Sequence, residues 1–417
     1  MAKLTIDIKL AHFTIENTQE NQHKIMVYDT TTESEVACRV CGEITSRLHS
    51  ADAPRQVRHL SVCGKYLYLL YRPQRYCCQH CPEGEVTTTA TPEFHYAKSQ
   101  FTYEFEQRLL LELVNSTVTD TSKKYDVTID EVQGIVNRHL DGKVDWAHFS
   151  TLSIIGIDEI AIKKGRSNYI TVVTALIESK VHILGVILGR KKRDVQQFLK
   201  SIPIELKKTV VAICIDMYDG YVNVAKAIFK KGVAIIVDRY HVAKLYRTSL
   251  DKFRQTIINE LKRHLSADDY EKIKHVTNIL RSNKEFFTDE EKAKLDEVFS
   301  HSFELAEGYR LVRALTHIFN SHLTVEEGLA KFAQWIADVR QTKLTFLNTF
   351  IKTLTKFKQE ISNYFLSRQT SGFVEGFNNK LKVMKRRCYG IFNLKHLFQR
   401  LTLDTCGYEL YAANKGG

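Results

Sequence analysis

The segment 151–240 restricts the fold more than any other part of the chain. It carries five runs rich in Ile and Val, at 154–162, 169–177, 181–188, 210–216 and 233–238. Stretches at about 192–201 and 219–230 have helical spacing instead. Short β-branched runs bounded by turn residues read as buried strands, and strands interleaved with helices make an α/β sheet. Asp158 falls inside the first run, Asp216 ends the fourth and Asp238 ends the fifth.

Three strands, a helix, a strand, a helix and a strand follow the order of an RNase H-like sheet. A buried carboxylate is costly unless it is paired or bound to metal. In α/β sheets, ligands gather at the carboxyl ends of strands. Asp158 and Asp216 are therefore expected at neighbouring positions, where two hard oxygen donors suit Mg²⁺. Two such ions about 3.5–4 Å apart can activate a water or hydroxyl and stabilise the leaving oxygen of a phosphodiester. Structural roles stand beside this reading. Asp216 and Asp238 each precede a helical stretch and can cap it. Asp238 can also pair with Arg239 or His241, and a regular strand turns Glu159 to the face opposite Asp158.

Nine cysteines are unevenly spread, six of them between Cys38 and Cys81. Cys38-Arg39-Val40-Cys41 and Cys78-Gln79-His80-Cys81 are two C-x-x-C pairs, each able to place two thiolates on one turn. Two such turns complete a tetrahedral zinc site. The interval between the pairs is long, so a β-hairpin must bring them together, and Cys77 and His80 are spare candidates. Arg55, Arg58, Lys65, Arg72 and Arg75 surround the pairs and can touch phosphates or be solvated.

Residues 101–145 switch to helical periodicity, with helices expected at about 102–114, 117–125 and 128–140. Thr128 with Glu131 makes a capping box. Asp126 suits the left-handed turn before it. A third helix presented this way can enter a DNA major groove, with Arg138 as a DNA-contacting cation. Lys and Arg number 60 against 48 Asp and Glu, a net charge of +12, which favours a polyanionic partner. No apolar run reaches the roughly 18 residues of a membrane span, and the alternating start lacks a signal-peptide core, so a cytoplasmic protein without a membrane partner is expected. Only five prolines occur, the last at Pro203, and no flexible linker separates the parts.

The tail 371–387 has one apolar helical stripe, Val374, Phe377, Leu381 and Met384, while Glu375, Asn379, Lys382 and Arg386 share another face. From Gly372 to Arg400 there are seven Lys or Arg and one acid, Glu375. A lone carboxylate among cations is either a surface ion pair or a metal ligand flanked by phosphate-binding groups.

Taken together, GIDEIAI with Asp158, CIDMYDGY with Asp216, VDRYHV with Asp238 and His241, and SGFVEGFNNKLKVMKRRCYGIFN with Glu375 resemble the DDE transposases of the ISL-three insertion-sequence family. The paired cysteines and the helix-turn-helix match that family's layout, and the resemblance spans nearly the whole chain. It implies an RNase H-like catalytic core over 150–244 and 369–410, interrupted by an all-helical insertion at 245–368. A zinc-binding β-rich domain (1–100) and a helix-turn-helix (101–145) come first. It implies Asp158, Asp216 and Glu375 as a triad holding two Mg²⁺ ions, for which Mn²⁺ can substitute, with Asp238 as the rival second acid and His241 accessory. It implies binding, cleavage and strand transfer at an element's terminal inverted repeats, by a dimer or larger assembly in a bacterial cytoplasm at the nucleoid. Lys382, Lys385, Arg386 and Arg387 would bind phosphates, and Asn378 and Asn379 would orient the Glu375 helix or touch DNA. Two other readings use the same residues: a DNA-binding regulator or domesticated copy whose acids are structural, and an RNase H-like nuclease or resolvase without strand transfer.

Overall fold

The computed structural model describes residues 10, 13–31, 34–81, 84–161, 169–229, 231–282, 284, 286–366, 369–387 and 393–412, with backbone alone for 30, 31, 369–375, 378 and 385. It is a mixed α/β chain in two compact units, one of residues 1–140 with 406–417 and one of 141–405.

The first unit opens with strands β1 Phe13–Glu20, β2 Lys24–Thr31, β3 Val36–Ala37, β4 Ile44–Thr45, β5 Leu48–Ala51, β6 Arg55–Val62, β7 Lys65–Tyr71, β8 Gln74–Cys78 and β9 Val86–Thr89. They form a β1-β2-β7-β6 sheet, a β5-β8-β9 sheet and a β3-β4 hairpin. Strand periodicity sends Leu67, Leu69 and Tyr71 to one face, where they pack with Val27, Val57 and Phe94. Each buried leucine stabilises the unit by roughly 1.5–3 kcal/mol. Helices α1 Tyr103–Leu113, α2 Val118–Tyr125 and α3 Ile129–His139 follow. Thr102, Thr117 and Thr128 cap them, each hydroxyl accepting the backbone N–H three residues on. The Thr128–Glu131 capping box is present, and Asp126 takes the left-handed conformation between α2 and α3 at φ 49°.

The second unit contains β10 Ile154–Ala161, β11 Tyr169–Ile177, β12 Lys180–Leu188, α4 Lys192–Ser201, α5 Ile204–Lys208, β13 Ala212–Ile215, α6 Asp219–Ile228, β14 Ala234–Val237 and α7 Arg239–His264. Its sheet runs β12-β11-β10-β13-β14. The first three strands are antiparallel neighbours, while β13 pairs parallel to β10 and β14 parallel to β13. A helical section follows: α8 Ala267–Ile273, α9 Val276–Arg281, α10 Asp289–His301, α11 Phe303–Asn320, α12 Val325–Gln341, α13 Asn348–Lys356 and α14 Lys358–Ser362. Helix α7 runs unbroken across residue 245, where the helical section was expected to begin, because no Gly or Pro interrupts 239–264. Helices α15 Gln369–Arg387 and α16 Leu394–Ala412 close the chain.

The pleat gives the sheet two different coats. Ile155, Ile157, Val173 and Ala175 share a core with Val195 and Leu199 of α4 and with Val222 and Ala225 of α6. Leu315, Phe319, Trp335 and Phe350 of the helical section belong to the same core. Ile170, Val172 and Ile183 pack instead against Phe377, Leu381 and Met384 of α15 and Leu397, Phe398 and Leu401 of α16. Among the described residues no helix is long and apolar enough to cross a membrane.

Candidate active site and cysteine cluster

Strand register builds the acidic site. Parallel pairing sets Ile157 of β10 beside Ile215 of β13, and Ile215 beside Val237 of β14. The next residue of each segment is an aspartate, so Asp158, Asp216 and Asp238 stand in one row across three adjoining strands. Asp158 pairs across β11 with Val172, which is packed among the α15 side chains, so Asp158 faces the α15 side of the sheet. Helix α15 lies against β10, β13 and α7.

The three aspartates are held differently. Asp158 Oδ1 accepts the N–H of Glu159 at 2.7 Å, and Asp216 Oδ1 accepts that of Met217 at 2.6 Å. Burial pushes the Asp158 carboxyl above its ordinary range. The charges of Asp216 and Glu159 push the same way, against the pull of the Glu159 N–H and of His241. Asp216 does not cap α6, whose first turn has no side-chain cap. Asp238 is 3% exposed and caps α7, accepting the Tyr240 N–H at 2.9 Å. His241, one turn into α7, puts Nδ1 3.3 Å from Asp216 Oδ1 and Nε2 4.0 Å from Asp238 Oδ2. The helix start uses only Oδ1 of the buried Asp238, while the Asp216 side chain is 38% exposed.

Glu159 points the other way, toward α6. Its Oε1 accepts the Tyr221 hydroxyl at 2.7 Å, and that hydroxyl lies 3.1 Å from Thr171 Oγ1. Burial raises Tyr221 well above a normal phenol. Sequence spacing does not reveal this pair, because it joins residues 62 apart.

Glu375 lies on α15, two residues before the buried Phe377; its side chain, and those of Asn378 and Lys385, are outside the described residues. Asn379, Lys382 and Arg386 are exposed and share its helical phase. Arg387 differs: it pairs with Asp404 of α16, whose other oxygen takes Arg400 at 3.1 Å. That contact ties two helices together and occupies the guanidinium.

In the first unit the four thiols of Cys38, Cys41, Cys78 and Cys81 all lie within 4.8 Å of one another. Cys38–Cys81 is 3.5 Å and Cys41–Cys78 is 3.6 Å. A tetrahedron with Zn–S bonds near 2.3 Å has sulfur–sulfur edges of about 3.8 Å, so the cluster fits zinc. Gly42, at φ 78°, closes the first knuckle by donating its N–H to the Cys38 carbonyl at 2.9 Å. Backbone N–H groups of Cys41 and Val40 lower Cys38 to about 6, while burial and the neighbouring thiols push Cys81 up to about 12. Cys77 and Cys78 are successive residues of β8, so the pleat turns them to opposite faces. Cys78 joins the cluster; Cys77 and His80 do not belong to it.

Arg138 does not project freely from α3. It forms two bonds to the fully buried Glu106 of α1, at 2.5 and 3.3 Å, and His139 and Ser99 reach the same carboxylate at 2.8 and 2.7 Å. Burial opposes the charge on Glu106, but these bonds outweigh it and hold the carboxyl below its ordinary value. The exposed residues of α3 are Ile129, Asp130, Asn137 and Arg138, with Gln133 half-buried beside them.

A transposase family model matches residues 155–401, a span that runs from β10 into α16. The chain is 24% identical over 389 residues, 93% of each sequence, to the transposase for insertion sequence element IS1001 of Bordetella parapertussis. It is 21% identical over 394 residues to the transposase for insertion sequence element IS1557 in two strains of Mycobacterium tuberculosis, covering 89% of this chain and 86% of that one.

Proposed function

This chain belongs to the ISL-three family of DDE transposases, and from that premise we propose which of its residues cut and join DNA. Asp158, Asp216 and Glu375 form the catalytic acids of an RNase H-like core. The observation that carries this reading is the register that sets Asp158 beside Asp216 on the sheet face where α15 lies, with Glu375 on that helix. The antiparallel β12-β11-β10 and parallel β10-β13-β14 halves of the sheet support the RNase H-like assignment. The core comprises 150–244 and 369–410, and the helices of 245–368 are an insertion within it. Residues 1–100 are a zinc-binding domain and 101–145 a helix-turn-helix.

The donor set fits a divalent ion. Two carboxylates share one face, and burial of Asp158 makes its free charge costly without a cation. Mg²⁺, when bound, would lower the pKa of the attacking water or 3′-hydroxyl and stabilise the leaving oxygen. The protein's own part is positioning. The backbone N–H bonds to Asp158 and Asp216 aim their remaining oxygens, and His241 holds the Asp216 carboxylate from the α7 side. Lys382 and Arg386, exposed along α15, bind phosphates beside the scissile bond, with Lys385 and Asn379 on the same helix. Arg138 and Arg387 each pair with a carboxylate, and their remaining N–H donors are the ones left for DNA. The DNA is the element's own terminal inverted repeats and then the target, and joining two ends calls for at least a dimer.

The test is cleavage of a supercoiled plasmid carrying the element's ends, in Mg²⁺ or Mn²⁺, by wild type and by the Asp158→Asn, Asp216→Asn, Asp238→Asn and Glu375→Gln variants. Nicking at the ends that disappears in the Asp158, Asp216 and Glu375 variants, with end binding kept, is the expected result. Retained cleavage in Asp216→Asn together with loss in Asp238→Asn would move the second acid to Asp238.

A further inference from the structure

A cavity of about 260 Å³ lies among α7, α9 and α11 of the helical section, lined by Arg247, Asp251, Arg281, Tyr309 and Arg313 with apolar neighbours. Its charge is unbalanced. Asp251 takes Arg281 at 3.0 Å, and it also takes Arg254, 2% exposed, at 3.1 Å. One carboxylate is thus shared by two guanidinium groups. Arg247 and Arg313 add two more positive charges, and among the described residues neither has a carboxylate within 4.0 Å.

Both of these arginines lie over aromatic rings. The Arg313 guanidinium lies 5.7 Å from the centre of the Phe287 ring and that of Arg247 5.9 Å from Tyr246. A cation–π contact uses no N–H donor of the guanidinium in a conventional hydrogen bond, so its donors are left for an anion. Three arginines line the cavity with a single carboxylate, already shared by two guanidinium groups; the excess charge calls for an anion with several acceptor oxygens, and phosphate is the partner that accepts the planar fork bidentately. The cavity has far more room than one water needs. Arg247 is exposed and the Arg281 side chain is 49% exposed, so the donors can be reached from outside by a long polymer that the cavity does not enclose.

We propose that this cavity seats a backbone phosphate of duplex DNA, making the helical section a DNA-binding surface in its own right. This rests on the reading of DNA as the partner. The assignment predicts contact without base preference, since phosphates position a duplex but carry no sequence.

The experiment uses the full chain and a 30-base-pair duplex of arbitrary sequence, followed by fluorescence anisotropy across a range of salt. Each phosphate contact contributes about 0.9 to the slope of log affinity against log salt. Arg247→Gln/Arg313→Gln should flatten that slope by about 1–2 and weaken binding several-fold at low salt, with Tm close to wild type. An Arg247→Lys/Arg313→Lys variant keeps the charge and should keep most of the slope, which separates lost contact from lost fold. Equal slope and affinity in a folded Gln variant would overturn the proposal. So would a rise in wild-type Tm with inorganic phosphate, absent in the Gln variant, if DNA binding did not change. A wild-type chain that binds no duplex would instead remove the underlying reading, and that outcome is seen before any variant is compared.

Discussion

His241 reaches back from the first turn of α7 to Asp216, its Nδ1 3.3 Å from the carboxylate Oδ1. The contact exists because Asp238 starts α7 at the end of β14, one strand over from Asp216, and the first turn then swings His241 over the neighbouring strand end. A group that supports a metal-binding carboxylate typically matters by about 10–100-fold. His241→Ala should therefore slow end cleavage by about that factor while leaving DNA affinity unchanged. His241→Asn, which keeps a nitrogen donor, should recover part of the rate. Single-turnover cleavage at saturating DNA reads this; unchanged rates in both variants would leave His241 with no part in positioning Asp216.

Asp238 and Asp216 should behave differently on substitution. Asn caps a helix as well as Asp does, so Asp238→Asn should preserve both fold and cleavage, while Asp238→Ala should cost about 1 kcal/mol. Asp216→Asn should leave Tm unchanged and lower the cleavage rate at least 1,000-fold. Thermal unfolding beside plasmid nicking distinguishes the two.

Adjacent cysteines provide a second contrast. Cys78→Ser should abolish zinc binding and markedly lower the Tm of the first unit, because a structural zinc site contributes directly to folding. Cys77→Ser should retain one equivalent of zinc, at a cost of about 1 kcal/mol for a polar atom in a buried place. Metal analysis of the purified variants decides it, and a strong chelator should destabilise wild type in the same way as Cys78→Ser.

Stability of the first unit should also depend on acid through Glu106. Its folded carboxyl titrates below the unfolded one. The unfolded chain therefore takes up its proton first as pH falls, and the stabilisation, complete above the unfolded value, is lost as pH drops through the folded one. Glu106→Gln should flatten this part of the profile. Glu106→Leu should cost about 3 kcal/mol, since Arg138 and His139 lose the partner they surround. Denaturant unfolding between pH 3 and 7 measures both.

Much of this was readable in advance, for identifiable reasons. The strand and helix order of 151–240 follows from local composition, and the Thr caps of α1 to α3 are signals contained within four residues. Asp158 and Asp216 could be picked out because charge inside or at the end of an apolar run is expensive. What stayed hidden depends on distant partners or on parity. Nothing near Arg138 announces Glu106, 32 residues earlier, as its partner. Cys77 and Cys78 are chemically identical, and only the phase of β8 separates them. The Glu159–Tyr221 bond and the arginine-lined cavity need three-dimensional packing, since their members come from different elements. Asp238 rivals Asp216 in the sequence because both end apolar runs; that only Asp238 caps the following helix needs the three-dimensional structure.

The row of aspartates has a consequence for how such a chain tolerates change over time. Its alignment is made by backbone pairing of β10, β13 and β14, not by any side chain within them. Exchanges among Ile, Val and Leu in these strands should therefore accumulate freely, and whole loops can lengthen or shorten at the sheet's edge. Gain or loss of a single residue inside β13 is another matter. It would carry Asp216 to the opposite side of the sheet, toward α6, and dissolve the site without altering one of its members. For this protein, counting matters more than spelling along those four residues.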